Sequence, residues 1–106
     1  MPTVYVTHCP NPRISIDEAG DFGKVVQVFK NTDRANGDTQ IYLDHAREIM
    51  ANVSDQDFVL PLGDTVLSHI VSGIQAEKTG LINALVWDNR AGRYFAKVVD
   101  FEAQPR

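Results

Sequence analysis

At 106 residues the chain suffices for one domain with a core that needs no disulfide or metal to hold it, and it is too short for two. Hydrophobic residues make up 43% and charged residues 23%, which excludes global disorder. The net charge of −4 speaks against generic duplex-DNA binding, which needs a basic surface, and is compatible with a protein partner.

The first residues, Met1 to Thr7, lack a basic stretch followed by a long apolar run, so no signal peptide is expected. No apolar segment approaches the roughly 20 residues that cross a bilayer, so no membrane role is expected. Cys9 is the one cysteine, which rules out an intramolecular disulfide and points to a reducing compartment, the cytoplasm.

Thr3 to His8 alternates and is rich in β-branched and aromatic residues, which predicts a first strand, stopped by Cys9-Pro10-Asn11-Pro12. Ile14 to Phe22 holds a helical turn with Ser15 or Asp17 as cap, ended by Gly23. Lys24 to Lys30 is a second strand, and the polar Asn31 to Asp38 an exposed loop.

From Thr39, Ile41, Tyr42, Ala46, Ile49, Met50 and Val53 follow a 3.6-residue period, predicting an amphipathic helix capped by Asp38 or Thr39 and ending near Asn52 to Ser54. The most informative stretch follows. Asp57 to Leu62 is a short apolar strand, Gly63-Asp64-Thr65 a turn able to cap a helix, and Leu81 to Trp87 a second apolar strand. Between them Val66, Leu67, Ile70, Val71 and Ile74 form an inward stripe, Ser68, Ser72, Gln75 and Lys78 face out, and Gly80 stops the helix in a left-handed conformation. Strand, helix, strand is one βαβ unit, and it implies parallel pairing.

Asp88 to Gly92 is a loop of hairpin length, so Arg93 to Glu102 forms a final strand antiparallel to the one before it. The predicted architecture is a single α/β domain over residues 1–106, in the order β1-β2-α1-β3-α2-β4-β5. Its sheet is mostly parallel, with an antiparallel C-terminal edge strand.

Two surfaces carry candidate chemistry. If the first and third strands are parallel, His8, Cys9 and Arg13 lie at the same carboxyl edge as Gly63, Asp64 and Thr65, where small ligands or nucleotides bind in open α/β sheets. The glycine spacing fits neither a phosphate-binding loop with its Lys nor a three-glycine dinucleotide fingerprint, and Asp64 would itself occupy the helix-start N–H groups as a cap. Arg13 follows Cys9 by four residues where a low-molecular-weight phosphatase loop needs six. No pair of ligands among His8, His45, His69 and Cys9 has zinc spacing, so these read as surface or boundary histidines, and neither metal nor cofactor is expected. No nucleophile elbow surrounds any serine. A catalytic set is therefore not expected.

The second surface is the hairpin, where Trp87, Asp88, Arg90, Arg93 and Tyr94 combine the residue types that dominate protein interfaces. The same set could stack single-stranded nucleic acid. Alternatively Trp87 and either Tyr94 or Phe95 belong to the core and the arginines solvate the turn.

Strand, Gly63-Asp64, apolar helix, Leu85-Val86-Trp87-Asp88 and Arg93-Tyr94 together resemble a set of small, mostly uncharacterised proteins of tailed bacteriophages. In those a Gly-Asp-Pro turn precedes the helix and a Trp-Asp-Arg hairpin follows it. The likeness runs from about Asp55 to Asp100 and departs at Thr65, where the pattern has Pro, and at Asn89, where it often has Arg. The resemblance implies a non-enzymatic accessory protein in the host cytoplasm that binds a host or phage protein stoichiometrically, for example as inhibitor of a host defence or transcription complex. It supplies no catalytic residues. A small-ligand module at the carboxyl edge and a single-stranded nucleic-acid binder are the alternatives.

Overall fold

A computed structural model describes residues 1–105. It contains β1 (Thr3–Val6), β2 (Lys24–Gln27), α1 (Gln40–Ile49), β3 (Phe58–Leu60), α2 (Thr65–Thr79), β4 (Leu81–Asp88) and β5 (Arg93–Asp100), with a 3₁₀ segment at Asp17–Asp21. The strands form one five-stranded sheet in the order β2-β1-β3-β4-β5. β1 pairs parallel with β2 and with β3, β3 parallel with β4, and β4 antiparallel with β5, as the element order predicted.

Local chemistry accounts for most of the boundaries. Pro61 has no N–H for a ladder and β3 ends before it. Asp64 caps α2, its Oδ1 accepting the Leu67 N–H at 3.0 Å, and Gly80 ends the helix at φ 81°. Before α1 it is Asp38 whose carboxylate accepts the Gln40 N–H at 2.9 Å, while Thr39 makes no side-chain cap bond. The β4–β5 loop closes through Gly92 N–H to Asp88 C=O at 2.8 Å.

Because side chains alternate along each strand, the sheet feeds two cores. On one face Tyr5 and Val59 lie against Ala46 of α1 and its C-cap Met50, and against Leu67, Val71 and Ile74 of α2. On the other Val4, Val6, Leu60, Leu85 and Tyr94 are roofed by the connection between β1 and β2, through Ile16, Ala19 and Phe22. Both helices thus serve one face, and an irregular segment serves the other. Among the described residues no helix is long and apolar enough to cross a membrane, and the ion pair found is the exposed Arg47–Glu77 contact at 3.1 Å between α1 and α2.

Several expectations are corrected. β2 ends at Gln27 rather than Lys30, although Val28 and Phe29 still donate to Val6 and Thr7 carbonyls of β1 at 2.8 and 2.9 Å. β3 begins at Phe58, since the Asp57 carboxylate is used to accept the Thr3 and Ser54 N–H groups at 2.9 and 2.8 Å. Ile41 and Ile49 are 65% and 40% exposed and Val66 is 42% exposed, because each lies one residue off the row that meets the sheet.

Gln75, predicted to face solvent, is fully buried. It lies four residues after Val71 on the same inward row. Its amide donates to the carbonyls of Ser54 (3.2 Å) and Asp57 (2.8 Å) and accepts the Asn83 N–H (2.9 Å). The recorded β3–β4 register is Val59↔Ala84, so this one amide satisfies backbone groups just before that pairing.

Candidate functional site

The four mutually parallel strands end on the same side, so the segments after β1, β2 and β3 gather there with the hairpin between β4 and β5. A buried histidine organises them. His8 is 0% exposed, contrary to its expected surface or boundary place. Its Nδ1 lies 3.0 Å from the Lys30 carbonyl and its Nε2 2.8 Å from the Asp64 amide nitrogen. A carbonyl can only accept and an amide N–H only donate, so Nδ1 carries the hydrogen and Nε2 accepts. One ring thereby ties the ends of β1 and β2 to the start of α2.

Gly63 completes the arrangement. At φ 77° it occupies the left-handed region, and a Cβ on it would collide with the His8 ring. Asp64 is held below the usual carboxylate range, chiefly by the Leu67 N–H; burial opposes this, while N–H groups of Ala35 and Val66 and the nearby His8 assist. Asp64 and Thr65 are thus the cap and first residue of a helix. Cys9 is half-buried, its N–H donating to the Asn31 side chain at 2.9 Å and its Sγ lying 3.4 Å from the Ile14 carbonyl. Among the described residues no group of three or more His, Cys, Asp or Glu is placed to hold a metal.

Beside this latch is a cleft of about 650 Å³. Arg13, Ile14, Ser15 and Glu18 of the β1–β2 connection form one wall, Leu60, Pro61 and Leu62 the floor, and Leu85, Val86, Trp87, Asn89 and Tyr94 the other wall. The two surfaces read separately from the sequence meet here, through Arg13 on one side and Trp87 with Tyr94 on the other. Trp87 is 41% exposed and stands edge-on to Tyr94, ring centroids 5.0 Å apart. Tyr94 is a core residue at 4% exposure, and its hydroxyl donates to the Ser15 carbonyl at 3.4 Å, which ties the two walls together. Burial, then the charges of Glu18 and Cys9, pushes its phenol above the ordinary range.

The rest of the hairpin set separates from these aromatics. Asp88 is half-buried and its Oδ1 accepts the Arg90 and Ala91 N–H groups at 2.9 and 3.2 Å, bracing the turn. Arg90 is exposed and does not line the cleft. Arg93 lines a different groove, with Glu18, Asp21 and Phe22. Nor do His8, Cys9, Gly63, Asp64 and Thr65 line the cleft. Ile14, Leu62 and Val86 also line the cleft, though the sequence marks Val86 only as part of the Leu85-Val86-Trp87-Asp88 motif and none of the three as a candidate site residue.

Residues 2–101 match a family model described as phage Pam3 gp32-like protein. A search of the curated proteins and a search of the solved structures each found no match.

Proposed function

We propose, for a chain that belongs to the phage Pam3 gp32-like family, that it is a non-enzymatic accessory protein acting by stoichiometric binding to a host or phage protein. The reading rests on the cleft. Its apolar floor, half-exposed Trp87 and single Arg13 on the rim combine the features of interface hot spots, an anchor pocket flanked by a cation able to make charge-assisted bonds. His8 and Asp64, the groups best suited to chemistry, are engaged in holding loops and capping a helix. Association of this kind in the host cytoplasm inhibits a defence or transcription complex by covering the surface it uses.

The test starts from tagged protein recovered from infected cells, with quantitative mass spectrometry of what it retains, followed by calorimetry on the purified partner. Trp87→Ala and Arg13→Ala should each weaken binding by about 2 kcal/mol or more if they are hot spots, with Arg90→Ala as a control outside the cleft. Unchanged affinity in folded Trp87→Ala and Arg13→Ala proteins overturns the reading. A volume of about 650 Å³ also suits a small apolar ligand. Retention of a small molecule in place of a protein selects that alternative, and retention of single-stranded nucleic acid with a steep salt dependence selects the third.

A further inference from the structure

β5 forms the end of the sheet and is paired on one side only. Its register with β4 runs without a break from Leu81↔Asp100 to Asp88↔Arg93, so the free edge is regular over eight residues. Edge strands of soluble proteins are normally blunted by shortness, charged side chains, proline, a bulge or a covering element; of these β5 has only its charged residues, with Lys97 at its centre. β2, at the opposite edge, has four residues. β5 has no proline and no bulge, and none of its residues belongs to the core beneath α1 and α2. Val98 and Val99, which point to opposite faces, are 59% and 51% exposed, and Phe101 just beyond is 61% exposed.

We propose that this edge pairs antiparallel with β5 of a second copy of the chain, with Ala96 opposite Ala96. The register follows from the backbone. The Phe101 N–H bonds the Gly80 carbonyl at 3.0 Å. Hydrogen-bonded pairs alternate along an antiparallel ladder, so Phe95, Lys97 and Val99 bond β4 while Tyr94, Ala96 and Val98 turn their N–H and C=O groups outward. Two copies must match outward residues with outward residues. Full overlap of the strands then leaves the twofold axis at Ala96 or at Lys97.

An axis at Lys97 sets two ammonium groups opposite each other, which is unfavourable in a sheet. An axis at Ala96 brings two methyl groups together and places Lys97 opposite Phe95 of the second copy. Within its own chain Lys97 already sits 5.9 Å from the Phe95 ring centroid, so the cation keeps an aromatic partner. Only one long edge is available per chain, so the pairing closes as a twofold dimer.

Light scattering on a sizing column, from low to high micromolar concentration, should give twice the 11.8 kDa protomer mass. Ala96→Pro removes an N–H that faces away from β4, so the chain should fold by circular dichroism and elute at the protomer mass. If that variant does not fold, Val98→Lys/Val99→Lys serves in its place. In a Cys9→Ser background, Ala96→Cys should form disulfide-linked dimers on mild oxidation, since Cα atoms of such a pair lie about 5.5 Å apart, within disulfide reach. Protomer mass at every concentration overturns the proposal. So does a dimer that persists in the folded edge variants, cross-linking that favours Lys97→Cys over Ala96→Cys, or association of the edge only with a different protein.

Discussion

Replacing His8 tests whether a single ring organises the carboxyl edge. His8→Asn removes the ring and both of its bonds, leaving the Lys30 carbonyl and the Asp64 N–H without the imidazole partner. A buried polar group left unsatisfied costs about 1 to 3 kcal/mol. Both bonds are partly buried rather than deep, so water replaces some of the loss, and the expected destabilisation is about 2 to 4 kcal/mol. That is a large share of the roughly 5 to 15 kcal/mol typical of a domain. Urea unfolding followed by circular dichroism reads the total, and amide exchange at Asp64 and Leu67 reads the locality, since the freed N–H sits at the start of α2. A loss below about 0.5 kcal/mol with unchanged exchange at Asp64 would refute the latch.

Gln75→Leu, close in size, strands the Asn83 N–H and removes one donor from the Ser54 and Asp57 carbonyls; a loss of about 2 to 4 kcal/mol is expected in the same assay, and near-neutrality would mean the amide is dispensable. Asp64→Ala should cost about 1 kcal/mol at neutral pH through loss of the cap. Because the folded carboxyl lies below its unfolded value of about 3.9, the charge-dependent part of that contribution is present above this pH and lost as pH falls through the folded value. The gap between wild type and Asp64→Asn should therefore narrow in acid, and a constant gap contradicts it. Tyr5 and Tyr94 have the opposite sense: their phenols are raised above 10.0 mainly by burial, so their stabilisation holds below that pH and is lost as pH rises through the folded values. Tyr94→Phe should show a shallower alkaline decline than wild type, and parallel limbs would be inconsistent with the burial of its hydroxyl.

What the sequence discloses and what it conceals divide by range. The Asp64 cap, the Gly80 stop and the tight β4–β5 turn depend on neighbours a few residues away, and each was readable from residue type and spacing. The antiparallel edge strand followed directly from the turn. Gln75 was misplaced because hydropathy patterning treats an amide as a solvent-facing group, whereas here its partners are backbone groups 18 and 21 residues earlier in the chain and 8 later. His8 was misplaced for the same reason, since its partners lie 22 and 56 residues along the chain. The cleft was half legible. Arg13 and Trp87 both stand out in the sequence, but their shared cavity depends on the β1–β2 connection folding over the sheet, which the packing of Ile16, Ala19 and Phe22 and the Tyr94 to Ser15 contact show.

The exposed Arg47–Glu77 contact has a practical consequence for experiments on this molecule. An exposed pair of this kind contributes about 0 to 1 kcal/mol, and the two cores and the Gln75 and His8 bonds are neutral. Added salt should thus leave the unfolding midpoint almost where it was. Any association that draws on Arg13 weakens as charges are screened over about 10 Å at 0.1 M. Ionic strength can therefore be varied to titrate recognition while the folded state is held constant, and a complex that ignores salt is one built on the apolar walls alone.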